Sequence, residues 1–223
     1  MLLYHTPDSI AKLFPKVLFH LPRVEKKLYL TFDDGPHPDI TKWVLEELDK
    51  FDAKATFFCV GENLNNFNDF IDTFHKNGHL IGNHTFNHLN GWNTKAEIYY
   101  QNIDEFQELY PAAFFRPPYG KIKTRQTAAI SEHMKVVLWD VLTGDFNENL
   151  SSQSCLKHVL KYTKPGSILV FHDSIKAEKT LKTLLPQVLK HYSKNKFTFE
   201  ALPSFDNPKK KQCLNTFLFS LLV

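Results

Sequence analysis

The feature that most constrains this 223-residue chain is an alternation: apolar runs of four to six residues recur between longer amphipathic stretches. The runs occupy 28–32, 55–60, 79–82, 113–116, 136–140, 168–172 and 197–200. They are rich in Leu, Ile, Val and Phe and lack strict polar alternation, which is how strands buried on both faces read. Between them, 39–52 sets Ile40, Val44, Leu45 and Leu48 on one stripe behind the start signal Pro38-Asp39. The stretch 67–77 stops at Gly78. The stretch 94–110 opens with Thr94 and Glu97 at capping-box spacing. Helices are also predicted over 124–133, 152–162 and 176–193, with a kink or break in the last at Pro186. Seven strands alternating with helices predict an α/β protein with a parallel sheet, either a barrel or an open doubly wound sheet.

The length suits one sizeable domain, and 43% hydrophobic with 23% charged residues is an ordinary globular balance. A net charge of +3, with Lys209, Lys210 and Lys211 as the one dense basic run, argues against a nucleic-acid surface. Three cysteines without a CxxC pair argue against a cysteine zinc site and against a disulfide framework. Cys59, inside an apolar run, reads as a small buried hydrophobe. No run reaches membrane-spanning length, so stable membrane insertion is not expected. The tail from Cys213 to Val223 is apolar but about half as long as a span; it reads equally as a packed terminal segment, a partner contact or a weak membrane contact. Asp8, Lys12 and Lys16 interrupt the N-terminal apolar residues, so no signal peptide is evident. A cytoplasmic or loosely membrane-associated protein is expected, with export left open.

Polar residues fall at the ends of the predicted strands. Asp33 and Asp34 end the first, His84 follows the third, Arg116 ends the fourth, Asp140 the fifth and His172 the sixth. In parallel α/β architectures the strand C-termini share one face, and active sites are built there. His84 and His88, at i and i+4, share one face of a helical turn and can reach one metal. A neighbouring carboxylate completes three protein ligands and leaves positions open for water and substrate. Adjacent side chains on extended backbone point apart, so Asp33 and Asp34 can divide metal binding from proton acceptance. His172 is placed to protonate a leaving nitrogen. His37, Asn83 and Trp92 are lesser candidates for the rim, for support of the metal site and for aromatic stacking on a ligand.

Thr31-Phe32-Asp33-Asp34-Gly35-Pro36, His84-Thr85-Phe86-Asn87-His88, Arg116-Pro117-Pro118-Tyr119-Gly120 and Leu169-Val170-Phe171-His172 resemble, in order and spacing, the motifs of the polysaccharide deacetylase family. This is the NodB-homology group, carbohydrate esterase family 4. The resemblance covers about 26–203 and implies a distorted (β/α)7 barrel. It divides the chain into an N-terminal extension at 1–25 packing on the barrel, the deacetylase domain at 26–203 and a C-terminal tail at 204–223. It implies Asp33 as catalytic base and Asp34, His84 and His88 as ligands of one divalent metal, zinc above all, with cobalt or another transition metal as alternatives. It implies Arg116 as the residue orienting the base, Pro117 and Pro118 as a wall, and the Tyr119 backbone N–H as an oxyanion donor. His172 is implied as general acid paired with Asp145, and Leu169 as part of the acetyl pocket. Where the family often shows Asp-x-x-Asp-Trp, this chain has Leu142, Asp145 and Phe146. Phe146 keeps an apolar wall but lacks the indole N–H.

The activity implied is metal-dependent N-deacetylation of an acetylated carbohydrate such as peptidoglycan, a chitin oligomer or an exopolysaccharide. An O-acetyl esterase, a small-molecule C–N hydrolase and a silent carbohydrate-binding module stay open. Oligomeric state is not legible.

Overall fold

The computed structural model of the protein describes residues 3–204. The apolar and basic stretches of the C-terminal tail lie outside the described residues. The strands are β1 Val17–Leu18, β2 Lys27–Asp33, β3 Ala55–Cys59, β4 Leu80–Asn83, β5 Phe114–Phe115, β6 Lys135–Val137, β7 Val141–Leu142, β8 Ile168–His172 and β9 Thr198–Phe199. The α-helices are α1 Asp8–Ala11, α2 Ile40–Asp49, α3 Gly61–Asn66, α4 Asp69–Lys76, α5 Ala96–Leu109, α6 Thr124–Ile130, α7 Ser152–Tyr162 and α8 Glu178–Lys194.

The sheet order is β1-β6-β5-β4-β3-β2-β8-β7, every ladder is parallel, and β9 adds to the start of β2. The sheet curls into a distorted (β/α)7 barrel, as expected. The seven expected strands differ from the observed ones in instructive ways. The run 136–140 is not one strand. Its backbone pairs with β1 at Leu138, whose N–H donates to Leu18 O, and with β8 at Asp140, whose N–H donates to Ile168 O. The chain thus leaves one edge of the sheet and joins the other, a non-local event that no local pattern records.

Residues 3–23 cross the gap between these edges. His5 bridges Val141 and His20 bridges Ser167. The Leu142 N–H donates to Tyr4 O at 2.9 Å, and the Thr6 N–H to Asp140 O at 3.0 Å. Arg23 pairs with Asp8 at 2.9 Å and with the buried Asp140 at 3.1 Å, and the Ser167 hydroxyl also donates to Asp140. Asp140 is therefore a structural polar partner and takes no place in the site.

Side-chain alternation along the strands splits the interior into two layers. Leu28, Leu30, Phe32, Phe57, Leu169 and Phe171 face the helices and pack with Val44 of α2 and Leu185 of α8. Phe57 stacks on Phe32 at 5.0 Å and on Phe74 at 4.3 Å. Truncating so buried a ring to Ala costs about 3–5 kcal/mol. Tyr29, Phe58 and Ile168 point the other way, into the barrel.

Two helix expectations are corrected. The Thr94 hydroxyl donates backward to Asn90 O instead of capping, and α5 begins after Lys95 with no side-chain cap. Pro186 does not break α8, which runs unbroken to Lys194. One lost backbone hydrogen bond is outweighed there by the buried stripe Leu181, Leu184, Leu185, Val188 and Leu189.

Candidate active site

Strand β2 carries Thr31 and Asp33 on the barrel-facing side, in register with Val170 and His172 of β8. Arg116, fully buried just after β5, donates to Asp33 at 2.6 Å and to the Thr31 hydroxyl oxygen at 2.8 Å. Its other nitrogens donate to Leu138 O at 3.1 Å and Val137 O at 3.4 Å, and its guanidinium lies 4.0 Å from the centre of the Phe58 ring. A buried ion pair is tolerable only when its remaining donors are satisfied, as these are. Asp33 is thereby fixed in one orientation.

Asp34 adopts φ 81°, so its backbone is left-handed rather than extended as the sequence suggested. That turn separates the two carboxylates. Asp33 meets Arg116, whereas Asp34 lies 3.2 Å from His88 Nε2 and 3.8 Å from His84 Nε2. The ligand atoms of Asp34, His84 and His88 all fall within 4.8 Å of one another.

The two histidines do not meet on a helical turn. Residues 84–88 form a loop in which Thr85 (φ 61°) and His88 (φ 57°) are left-handed, a conformation costly for non-glycine residues. The surrounding amides hold the loop. Asn83 Oδ1 accepts from the Thr85 N–H at 2.8 Å, and Asn102 Oδ1 on α5 accepts from the Phe86 and Asn87 N–H groups at 3.0 and 2.9 Å. Asn83 thus supports the ligand loop. Asn102 was not singled out from sequence, because nothing local ties it to a loop 15 residues upstream.

The donor set fits a divalent transition metal. His84 Nδ1 donates to Arg116 O at 2.7 Å, which leaves Nε2 with its lone pair facing Asp34. Burial, above all, lowers the His84 pKa to about 4, so the ring is neutral near pH 7. Burial pushes Asp34 up, but the hydrogen bond from His88 and the charge of His172 outweigh it, and its pKa ends below the usual carboxylate range. An anionic oxygen and imidazole nitrogens are what zinc or cobalt binds.

Across the barrel mouth, Asp145 Oδ1 accepts from His172 Nδ1 at 2.8 Å and Oδ2 from the His172 N–H at 2.8 Å. Burial works against charge on His172, but the Asp145 carboxylate overrides it and raises the ring's pKa to about 9. The Phe146 ring packs 4.8 Å from that imidazole. Leu142 clusters with Trp139 and Val170. Alternation puts Leu169, expected in the acetyl pocket, with the helix-facing layer, while Val170 shares the His172 face and packs with Leu142 and Trp139. Pro117 and Pro118 are buried at the wall, and Tyr119, at φ 61°, is exposed with its ring 4.7 Å from His88. His37 sits at the start of α2, where its Nδ1 accepts from the Asp39 and Ile40 N–H groups.

One buried carboxylate escaped the sequence reading. Asp173, directly after His172, accepts from the Gly35 N–H at 3.2 Å and from the Thr41 hydroxyl. It anchors the Asp33-Asp34-Gly35 turn from behind. Its only sequence signal was a charged residue directly after the strand-end histidine.

Comparison with known proteins agrees with this geometry. Residues 20–137 match the family model described as polysaccharide deacetylase. The chain is 34% identical over 163 residues to a peptidoglycan-N-acetylglucosamine deacetylase of Bacillus cereus, covering 70% of this chain and 59% of that protein's length. It is 32% identical over 157 residues to the chitooligosaccharide deacetylase of Azorhizobium caulinodans, covering 67% and 74% respectively. A solved peptidoglycan N-acetylglucosamine deacetylase superposes with a TM-score of 0.81 at 30% identity, over 89% of this chain and 95% of that one. The motifs, the barrel and these relatives agree: the chain belongs to the polysaccharide deacetylase family.

Proposed function

We propose that this protein is a metal-dependent hydrolase that removes N-acetyl groups from an N-acetylated sugar polymer or oligomer and releases acetate. One observation carries the reading: a ligand triad, an Arg-clamped carboxylate and a histidine bonded to the buried Asp145 converge at one end of the barrel. The relatives named above are deacetylases of peptidoglycan N-acetylglucosamine and of chitooligosaccharides, which supports an acetylated amino sugar as the substrate.

Asp34, His84 and His88 would hold the metal, which when bound polarises the acetyl carbonyl and acidifies a water. Asp33, locked by Arg116, accepts the proton of the attacking water. Arg116 keeps the carboxylate aimed and does not touch the substrate. The Tyr119 backbone N–H faces the carbonyl oxygen as negative charge develops there. His172, held protonated by Asp145, donates its Nε2 proton to the departing amine. Val170, Leu142 and Phe146 exclude water around the acetyl methyl.

The test is acetate release from N-acetylglucosamine oligomers and from peptidoglycan, before and after chelation and with zinc or cobalt restored. Release that follows the metal supports the reading. A folded, fully metallated protein that releases no acetate from either sinks it.

A further inference from the structure

Beside the catalytic mouth lies a groove of about 620 Å³ that deacetylation of a bare sugar does not use. Residues of α1 and β1 form one bank and α6 the other, and Leu138 and Trp139 also line it. Its lining is dominated by apolar side chains, among them Ile10, Leu13, Phe14, Phe19, Trp92 and Ile122. Of the nine exposed large hydrophobic side chains among the described residues, five line this groove: Leu3, Leu13, Phe14, Trp92 and Tyr119. Leu13 is 73% exposed and Trp92 53%. Exposed apolar side chains gathered in one concavity of this size mark a binding site.

Continuity with the active site identifies the occupant. Tyr119 belongs to both: its ring packs against His88 at 4.7 Å and also lines the groove. Whatever fills the groove therefore abuts the sugar being deacetylated. A further sugar ring fits poorly, because its hydroxyls would be buried against walls with few partners. The charged lining residues are Lys16 and Lys121, with no carboxylate among them. The Lys121 ammonium lies 3.9 Å over the Trp92 ring, one residue from Gly120 at the site boundary. Two lysines and no carboxylate along an otherwise apolar trough match a phosphate followed by an aliphatic chain.

We propose that the groove holds the hydrocarbon chain of a phosphate-linked substrate, so that this deacetylase acts on a lipid-linked N-acetyl sugar. The inference rests on the deacetylase reading for its reaction and on the groove alone for its specificity. A bilayer surface or a flat partner surface would not enter a concavity shared with Tyr119, whereas a single chain does.

The experiment compares N-acetylglucosamine 1-phosphate esterified with a methyl or a dodecyl group, both below micelle-forming concentration. Acetate release is followed with the metallated full-length protein, and tryptophan fluorescence is titrated in parallel, since Trp92 and Trp139 line the groove. The dodecyl ester should lower KM by on the order of 100-fold, the effect of burying three to four methylenes, with kcat little changed. The dodecyl-to-methyl ratio of kcat/KM should collapse toward one in Ala128→Trp, which fills the groove, and in Leu13→Asp, which charges an exposed wall. Equal KM values with silent tryptophans overturn the inference and leave the deacetylase reading standing. A tryptophan response to the dodecyl ester without acetate from either ester keeps the chain site and overturns the reaction. Chain dependence that survives both substitutions, or binding to phosphatidylglycerol vesicles without binding to the monomeric ester, overturns the groove assignment.

Discussion

Asp145→Asn tests the origin of the acid more sharply than deleting the histidine. Both carboxylate oxygens are committed: Oδ1 to His172 Nδ1 at 2.8 Å and to the Phe146 N–H at 3.0 Å, Oδ2 to the His172 N–H at 2.8 Å. An Asn keeps the shape, but its amide can satisfy the His172 backbone N–H only by turning its NH₂ toward Nδ1. The ring must then accept there, which favours its neutral form. Burial already opposes charge on His172, and Asp145 is the main group overriding it to bring the pKa to about 9. Without that charge the pKa falls to or below the free imidazole value of about 6.5. The sign follows: the acid must be protonated, so the wild-type rate holds to higher pH than the variant's, which fails near neutrality. At about pH 7.5 the variant ring is ~10% protonated, giving a loss of about tenfold or more in kcat/KM, widening above that pH and narrowing below it. The assay is a pH profile of kcat/KM for acetate release with metal content measured at each point. An alkaline limb as high in a fully metallated variant as in the wild type would refute this account of the acid.

Asp33→Asn should abolish nearly all turnover while metal content after dialysis stays at the wild-type level; an active variant would remove Asp33 from the base role. His84→Ala should lose metal on dialysis, and with it activity that added zinc restores only at far higher concentration. Arg116→Ala leaves Asp33 buried without its partner and should cost about 3–5 kcal/mol, read by denaturant unfolding of the metal-free protein. Burial above all, with the Asp34 charge adding to it, raises Asp173 to about pH 7, so its stabilising contribution is complete below about pH 3.8 and lost as pH rises through about 7. Asp173→Asn should flatten that stretch of the pH–stability curve, whereas Asp173→Ala strands the Gly35 N–H and costs about 1–3 kcal/mol; a curve unchanged in the Asn variant would contradict the buried, titrating carboxylate.

Much of the chemistry is local and therefore legible without a structure. The alternation of apolar runs and amphipathic stretches reports burial on two faces, and it located the central strands β2, β3, β4 and β8 within a residue or two. Asp33, Asp34, His84, Arg116 and His172 are each chemically distinctive at or just after a strand end, and parallel topology brings strand ends together. Other features depend on which surfaces meet. Asp140 shared the strand-end signature, yet it serves Arg23 and Ser167, because its strand breaks where the chain changes edges. The His84–His88 loop converges through left-handed residues held by Asn83 and Asn102, a device that a helical period cannot reveal.

The sequence by itself determined the class of fold through its periodicity, and the candidate ligand and proton-transfer groups through residue chemistry and the motifs of the family it resembles. Tertiary structure decided which of two neighbours, Leu169 or Val170, faces the acid, since a shift of one residue reverses every side chain on a strand. It also decided that residues 3–23 bridge the sheet's two edges and that Asp173 braces the Asp33-Asp34 turn. The apolar groove next to Tyr119 likewise exists only once α1, β1 and α6 are brought side by side. Those outcomes arise from pairings between residues 15 to more than 130 positions apart, and such contacts exist only once the sheet has closed.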